Sequence, residues 1–304
     1  MISIKGLKRQ LKESAWLLGI CENGFDDLKK NRIHWISNGK YDGKKWFADP
    51  FILDYDEKKI RLLVEEFDYK LHRGRIAKLI VNREKWVVDE CKIILDLPTH
   101  LSFPMIWREK GNVFVCPENY KSGGWNLYRY HDEGEPLEFV AQLSKEKLTD
   151  ATLYHDGLYY WLFSTYEPHP NGNELTIWKS TTITGSYNET QRVKFDENIG
   201  RNAGVIFLCQ GKLIRPAQES NLSYGHSIVF QEVVMDNDKF FFKEKYRFHS
   251  PHKKYNVGTH TFNTLGKLAV IDVKGYRYPI LGKMISSMGE VLVKFHLKRQ
   301  YRPV

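Results

Sequence analysis

The feature that most constrains this fold is a segment that recurs five times along the chain. Each copy opens a short apolar run, is followed by a polar turn, and brings a polar residue to the same place. The equivalent positions Asp49, Phe103, Asp150, Asn202 and Thr259 are separated by 54, 47, 52 and 57 residues. A period of about 50 residues, with three or four short strands per unit, is typical of propeller blades. The repeat therefore predicts an all-β, five-bladed β-propeller, whereas the alternative, a β-sandwich, leaves the repeated opening segment unexplained.

The first copy of the repeat shows what the opening segment does. Within Trp46–Ile52, the carboxylate of Asp49 stands between an aromatic pair and an apolar run that favours a strand. Pro50 has no N–H to give to a sheet, so it belongs at the first residue of a strand or at a strand edge. Asp49 is therefore predicted at the mouth of a strand. Because the first strand of a propeller blade is innermost, the five openings are expected to meet at a central channel.

The two ends of the chain lie outside the repeat. Residues 33–280 are predicted to form the propeller, with 33–36 as a short strand that closes the last blade. Residues 1–32 are predicted as a helical extension and 281–304 as a basic helical tail, because apolar residues recur on one helical face in each. Those residues are Leu7, Leu11 and Leu18 at the beginning, and Ile285, Met288, Leu292 and Phe295 at the end.

The channel openings carry the polar side chains that a sugar requires. Hydroxyl groups need directional donors and acceptors, and aromatic faces cover the apolar side of a sugar ring. The candidate catalytic residues are the carboxylates Asp49, Asp150, Glu118 and Glu219. The candidate substrate-binding residues are Trp46, Ser102, Arg201, Asn202, Arg215, Gln218, Tyr224 and His260.

Each of these candidates also has a structural interpretation. Asp150 fits an Asx turn, Glu219 fits a residue that only flanks its strand, and His260 fits a hydrogen-bonded channel residue. The two arginines fit buried ion pairs or contacts to a phosphate or carboxylate of the ligand. The histidines near position 260 follow no metal-ligand spacing, so no metal and no cofactor are expected.

The repeated segments resemble those of known propellers. Asp49-Pro50 at the start of blade one and Asp150 at the start of a later blade resemble five-bladed propellers of the arabinanase, invertase and levansucrase type. A closer resemblance is to the N-terminal propeller of plant glucosamine inositolphosphorylceramide transferases, which also occurs in bacterial surface-polysaccharide proteins. The segments that carry it are 46–51, 100–104, 150–153 with 161–163, 215–218 with 224–225, and 260–263. The resemblance implies this fold and sugar chemistry, and it leaves open whether the propeller itself catalyses.

The charge and composition of the chain indicate which partners to expect. The formal net charge of +9 suits an anionic surface or a solvated lysine-rich surface, and nucleic acid is not expected. No signal peptide is apparent, and no run approaches the roughly 20 apolar residues that a membrane span needs. The four cysteines have no metal-ligand or disulfide pattern. We expect a cytoplasmic protein. Its basic ends either pack their apolar faces on the propeller or bind peripherally to the anionic inner membrane.

We therefore expect a carbohydrate-active propeller that transfers or hydrolyses a glycosyl unit in cell-surface polysaccharide or glycolipid biosynthesis. Such chemistry usually needs one ionised and one protonated carboxyl group on opposite sides of the scissile bond. Asp49 would be base or nucleophile, Asp150 would orient the sugar or tune a pKa, and Glu118 or Glu219 would be the acid. The expected ligand is a sugar, sugar phosphate or glycan. The alternative is a non-catalytic propeller that binds such a ligand.

Overall fold

The strands of this protein pair into five antiparallel sheets of four strands each. A computed structural model describes residues 13–131, 135–280 and 282. Four of the sheets consist of consecutive strands, and the fifth combines strands from the beginning and the end of the described chain. This arrangement is the predicted five-bladed β-propeller, so the predicted fold class is confirmed.

In chain order the strands are β1 (Ser14–Cys21), β2 (His34–Trp35), β3 (Lys45–Tyr55), β4 (Lys59–Asp68), β5 (Arg73–Asn82), β6 (Val87–Leu95), β7 (Ser102–Glu109), β8 (Asn112–Glu118), β9 (Trp125–Tyr130), β10 (Glu138–Ser144), β11 (Leu148–His155), β12 (Tyr160–Tyr166), β13 (Glu174–Ser180), β14 (Asn188–Lys194), β15 (Phe207–Cys209), β16 (Lys212–Glu219), β17 (Ser227–Asp236), β18 (Lys239–Phe248), β19 (Phe262–Leu265) and β20 (Leu268–Tyr276). Blades I to IV are β3–β6, β7–β10, β11–β14 and β15–β18, and blade V has the order β19-β20-β1-β2. A short helix, α1 (Gly24–Lys29), connects β1 to β2.

Blade V closes the ring by joining the two ends of the described chain. β1 pairs with β20 over eight residue pairs, from Ser14 opposite Tyr276 to Cys21 opposite Ala269. β2 then pairs with β1 as the outermost strand of the blade. The prediction that a short strand within 33–36 closes the last blade is therefore confirmed.

The prediction of a helix throughout residues 1–32 is wrong for residues 14–21. Trp16, Leu18 and Ile20 alternate along β1 and are all buried, which is the periodicity of a strand. A short apolar run satisfies helical and strand patterns alike, and pairing with β20 decides between them here. Residues 1–12 and the predicted tail, apart from Gly282, lie outside the described residues.

Apolar side chains fill the space between neighbouring blades. Leu18 of blade V, Phe47 and Leu62 of blade I, and Leu268 of blade V belong to one buried cluster. A second cluster joins blades I, II and III, and includes an edge-to-face contact between Phe51 and Phe103 at 5.0 Å. The first strands of blades V and I, of I and II, and of II and III also contact one another, so the opening residues of these blades lie at the centre of the ring.

Three of the blade openings share an irregular backbone. Asp49, Phe103 and Asp150 have φ values of +50°, +44° and +44°, and each lies where the pairing of its strand shifts register. Such a bulge bends the strand and re-aims the side chain. A non-glycine residue held in this conformation costs of order 1–3 kcal/mol and persists only where its surroundings enforce it.

Candidate functional site

A cavity of about 260 Å³ lies where the inner strands of the blades meet. Its volume is somewhat below the roughly 300–1,000 Å³ of pockets for drug-sized ligands, so it suits one small molecule. Residues from blades I, II and V and from the connections around blade IV line it: Ser14, Trp16, Trp46, Asp49, Glu65, Phe67, His100, Ser102, Glu118, Arg201, Tyr224, His260 and Lys274.

Carboxylates bind the backbone N–H groups at the three irregular openings. The N–H of Asp49 donates to Asp272 Oδ2 at 3.0 Å, and the N–H of Phe103 donates to Asp49 Oδ2 at 3.0 Å. The N–H of Asp150 donates to Glu118 Oε2 at 2.9 Å. The acidic residues therefore stabilise the bulges, and this structural task accompanies any chemical one.

Asp49 is buried at the floor of the cavity beside a histidine. Its Oδ1 accepts a hydrogen bond from Thr261 Oγ1 at 2.8 Å and lies 3.6 Å from His260 Nε2. His260 Nδ1 faces Asp272 at 2.8 Å. Burial raises the pKa of Asp49 to about 6; Asp150 and Asp272 add to this rise, while His260 opposes it. Burial lowers the pKa of His260, but the two adjacent carboxylates outweigh it and raise that pKa overall.

A buried arginine joins the carboxylates of blades II and III. Arg201 Nε donates to Asp150 Oδ2 at 2.7 Å, and its terminal nitrogen donates to Glu118 Oε2 at 3.1 Å. Gln218 also donates to Asp150 Oδ2, while Asn202 donates to the Asp150 carbonyl at 2.9 Å. Burial raises the pKa of Glu118 to about 8, because the opposing charge of Arg201 does not compensate for lost hydration and for the nearby Asp150. This rise in pKa favours the protonated form of Glu118.

Glu65 is the third cavity carboxyl group with a displaced pKa. Burial, reinforced by Asp49 and Glu118, raises its pKa well above the usual range. His100 Nε2 lies 3.3 Å from Glu65 Oε1, but Oε1 has no hydrogen-bond partner. His100 Nδ1 accepts the Gly74 N–H at 2.9 Å, and burial lowers the pKa of this histidine to about 4. The neighbour of Glu65 is therefore a neutral imidazole.

Aromatic rings form the other wall of the cavity. Trp16 stacks on His260 with ring centres 4.0 Å apart, and Trp46 stacks on Phe67 at 4.6 Å. Lys274 Nζ lies 5.6 Å from the Trp16 ring centre and 5.3 Å from that of Tyr224. Burial lowers the pKa of Lys274 to about 8. The cavity thus combines apolar ring faces with acids and a cation, as a binding site for a polar ring requires.

One group among the described residues has the composition of a metal site. Ligand atoms of Asp49, His260 and Asp272 lie within 4.8 Å of one another. Asp272 already accepts the N–H groups of Asp49, His260 and Thr261 and faces the imidazole of His260. These donors engage both oxygens, so the group is a complete hydrogen-bonded network without an ion.

The cavity brings together seven of the twelve predicted site residues: Trp46, Asp49, Ser102, Glu118, Arg201, Tyr224 and His260. Asp150, Asn202 and Gln218 lie behind it and are bonded to one another. Their position suits residues that orient the cavity wall through Arg201. The roles predicted for these residues remain predictions.

The other two predicted site residues, Arg215 and Glu219, belong to the second strand of blade IV and do not line the cavity. Arg215 is fully buried within blade IV, where it donates to Asn202 Oδ1 at 2.9 Å, to Gln231 Oε1 at 2.6 Å and to two backbone carbonyls. Burial of Glu219 alone would raise its pKa, but hydrogen bonds led by that from His226 hold it at about 2. Both residues have the contacts of structural groups, and Glu219 lacks the proton that an acid catalyst needs.

Several cavity residues were absent from the predicted site. Trp16 was not predicted because its segment was interpreted as a helix. Lys274 was not predicted because no motif marks the end of β20. Glu65 in blade I occupies the place that Glu118 has in blade II, because each pairs with the residue just before the opening position, Ala48 and Ser102 respectively. That equivalence between blades was the available signal for Glu65.

The fold and cavity define a five-bladed β-propeller with an acidic, aromatic-walled pocket at the centre of its ring. The family described as glucosamine inositolphosphorylceramide transferase 1, N-terminal, matches residues 36–270, and the chain belongs to this family. The protein of that name from Arabidopsis thaliana is 30% identical over 212 residues, which are 66% of this chain and 26% of the relative. The one from Oryza sativa subsp. japonica is 30% identical over 151 residues, 46% of this chain and 20% of the relative. The chain thus spans only a fifth to a quarter of the length of these relatives.

Solved structures share the fold at low sequence identity. An α-L-arabinofuranosidase from Clostridium thermocellum superimposes with a TM-score of 0.51 at 10% identity, over 79% of this chain and 82% of that one. A GH43 β-1,3-galactosidase solved with galactodeoxynojirimycin gives a TM-score of 0.53 at 8% identity, over 70% and 81% of the two chains. In the described part of this protein, no helix has the length and apolar character required to cross a membrane.

Proposed function

We propose that this propeller binds one glycosyl unit in the central cavity and catalyses its transfer or hydrolysis. The observation that carries the proposal is the presence of Asp49 and Glu118 in one cavity, with pKa values raised to about 6 and about 8. Between these values one carboxyl group is ionised while the other keeps its proton. Two carboxyl groups in different protonation states are what glycosidic bond cleavage requires.

The geometry suggests a role for each group. Glu118 donates its proton to the leaving oxygen, and Asp49 accepts a proton from the attacking water or hydroxyl group. The sugar ring lies against Trp16 and Trp46. Arg201, held by Asp150, keeps the Glu118 carboxyl in place. A water as acceptor gives hydrolysis, and a hydroxyl group of a glycan or lipid gives transfer.

The relatives support a sugar as the ligand, since those from rice and Arabidopsis are named as glucosamine inositolphosphorylceramide transferases. A role in cell-surface polysaccharide or glycolipid biosynthesis is part of the proposal. So is a cytoplasmic location at the inner membrane, where lipid-linked glycans are assembled.

One observation favours a binding propeller without catalysis. Glu118 and Asp49 both accept backbone N–H groups at the bulges, so the fold itself needs them. In that case the cavity holds a sugar or sugar phosphate and leaves chemistry to a partner domain.

The Asp49→Asn variant separates the two functions. Asparagine keeps an oxygen for the Phe103 N–H but accepts no proton, so turnover should fall about 10²–10⁴-fold while sugar affinity changes little. The measurement is a screen of purified protein with aryl glycosides, nucleotide sugars and sugar phosphates, following both release of product and binding.

The matched control is Asp54→Asn, because Asp54 lies on the same strand but pairs with Arg61 on the surface. Turnover by Asp49→Asn at the rate of this control would remove Asp49 from catalysis. Binding without turnover by the unaltered protein would establish the binding propeller instead.

A further inference from the structure

Asp272 does not line the cavity, yet it joins two of the blade openings that do. It lies on β20 and is fully buried. Its carboxylate accepts the backbone N–H of Asp49 at 3.0 Å, and the backbone N–H groups of His260 and Thr261 at 3.1 Å. The same carboxylate faces His260 Nδ1 at 2.8 Å. Asp272 therefore fixes the opening of blade V against that of blade I.

This contact decides which nitrogen of His260 carries a proton. A carboxylate only accepts hydrogen bonds, so Nδ1 must donate, and Nε2 is the nitrogen that faces Asp49. Nε2 lies 3.6 Å from Asp49 Oδ1, which is too long for a hydrogen bond but within ion-pair distance. When Nε2 takes a second proton, the positive charge of the imidazolium lies beside the Asp49 carboxylate.

The packing around His260 holds its ring in this orientation. Trp16 stacks on the ring with centres 4.0 Å apart and planes inclined by 17°, and Tyr224 meets it edge-on at 5.3 Å. A Cβ atom on Gly225 would lie 2.7 Å from the Cβ of His260, so glycine is required there for the main chain to pass this closely. These contacts oppose a rotation that would exchange the two ring nitrogens.

The charge of His260 matters because Asp49 is buried. Burial favours the neutral form of Asp49, and the positive charge of His260 opposes that effect on its pKa. Burial also disfavours a charged imidazole. Among the groups that raise the pKa of His260 against burial, Asp272 contributes most, followed by Asp49; Asp150 adds a smaller contribution. The other ionisable groups that line the cavity are Glu65, His100, Glu118, Arg201, Tyr224 and Lys274.

We propose that Asp272 is a positioning residue, which holds His260 as the positively charged neighbour that keeps Asp49 ionised. The inference rests on the proposed function, because Asp49 is the base of that reaction. His260 keeps both of its ring protons while Asp49 accepts the proton of the attacking water or hydroxyl group. Asp272 thus acts on the reaction only through His260.

The first test needs no substrate. Histidine side chains are followed by heteronuclear NMR from about pH 5 to 9, and the signals of His260 are identified by their loss in His260→Gln. We expect a pKa above the usual value of histidine, and a proton on Nδ1 in the neutral form. In Asp272→Asn that pKa should fall, because the amide keeps an oxygen for the backbone N–H groups but has no charge.

The second test uses turnover, and it also decides the matter where Asp272→Asn does not fold. Without the imidazolium, Asp49 in His260→Gln should ionise at higher pH, so the rise of kcat/KM with pH should move to higher pH. Each pH unit of this displacement lowers kcat/KM at the acid end about tenfold. A loss of substrate binding alone would lower kcat/KM equally at every pH and leave the rise where it was.

The matched control is His226→Gln. His226 Nδ1 faces Glu219 at 2.7 Å, so it belongs to a similar carboxylate–histidine pair, but neither residue lines the cavity. This substitution should leave the NMR signals of His260 and the pH dependence of kcat/KM unchanged.

The possible results separate the inference from the proposed function. An unchanged His260 pKa in Asp272→Asn, or an unchanged rise of kcat/KM with pH in His260→Gln, overturns the inference while turnover by the unaltered protein still supports the proposed function. Absence of turnover by the unaltered protein overturns the proposed function, and the role of Asp272 in it, whatever the NMR titration shows.

Discussion

At the scale of single residues, environment decides what each acidic side chain does. Glu118 and Glu219 end equivalent second strands, yet their pKa values lie at about 8 and about 2. Burial dominates at Glu118, whereas hydrogen bonds from His226, Ser227 and the Asn221 N–H hold the ionised form of Glu219. Sequence reasoning identified both as candidates, but the choice between them depends on neighbours that are distant along the chain.

Arg215 lies outside the cavity, and a substitution tests whether its role is structural. Arg215→Met removes the donors to Asn202, Gln231 and two carbonyl groups, and leaves these buried acceptors unpaired. We expect the free energy of unfolding to fall by about 2–4 kcal/mol, with little change in sugar affinity of the folded protein. Denaturant titration and calorimetry measure the two effects. If the free energy of unfolding stays unchanged while sugar binding is lost, Arg215 would have to contact the ligand.

At the scale of elements, the repeated opening segment was the most informative part of the sequence. It located the first strands of blades I to III and the polar residues around the centre. In blade IV the opening at Asn202 is an isolated bridge to Ala217, and the regular strand begins only at Phe207. The left-handed residues were not foreseeable, because aspartate and phenylalanine at these positions do not by themselves indicate a positive φ.

The main error of the sequence analysis was to predict a helix where the chain forms β1. The position of β1 can be tested by its contribution to stability. Leu18 is fully buried between blades V and I, so Leu18→Ala should lower the free energy of unfolding by about 2–5 kcal/mol. Leu158→Ala is the matched control, because Leu158 is 68% exposed and its truncation should have almost no effect. Equal effects of the two substitutions in denaturant titration would contradict the placement of β1 in blade V.

At the scale of the whole molecule, the ring brings together residues more than 200 positions apart. Thr261 Oγ1 donates to Asp49, and β1 pairs with β20, so the cavity exists only once the ring is closed. This is why a central site was predictable from the repeat while its wall at Trp16 and Lys274 was not: those residues belong to the closing blade.

The basic ends of the chain give a prediction about location. Residues 1–12 and 283–304 contain nine lysine and arginine residues: Lys5, Lys8, Arg9, Lys12, Lys283, Lys294, Lys298, Arg299 and Arg302. Each basic residue near an anionic membrane contributes about 1 kcal/mol, and salt weakens the attraction. We expect co-sedimentation with anionic but not neutral vesicles, lost at high salt and lost on removal of residues 1–12 and 283–304. Equal binding to both kinds of vesicle, or no loss on truncation, would refute a membrane role.

If Asp49 and Glu118 work as base and acid on a sugar, kcat/KM must depend on the protonation state of both groups. Asp49 must be ionised, so activity should rise as pH passes about 6; Glu118 must be protonated, so activity should fall as pH passes about 8. With a substrate found in the glycoside and nucleotide-sugar screen, we expect a bell-shaped profile of kcat/KM against pH. A profile that stays flat from about pH 5 to 9, or absence of turnover at every pH, would contradict it.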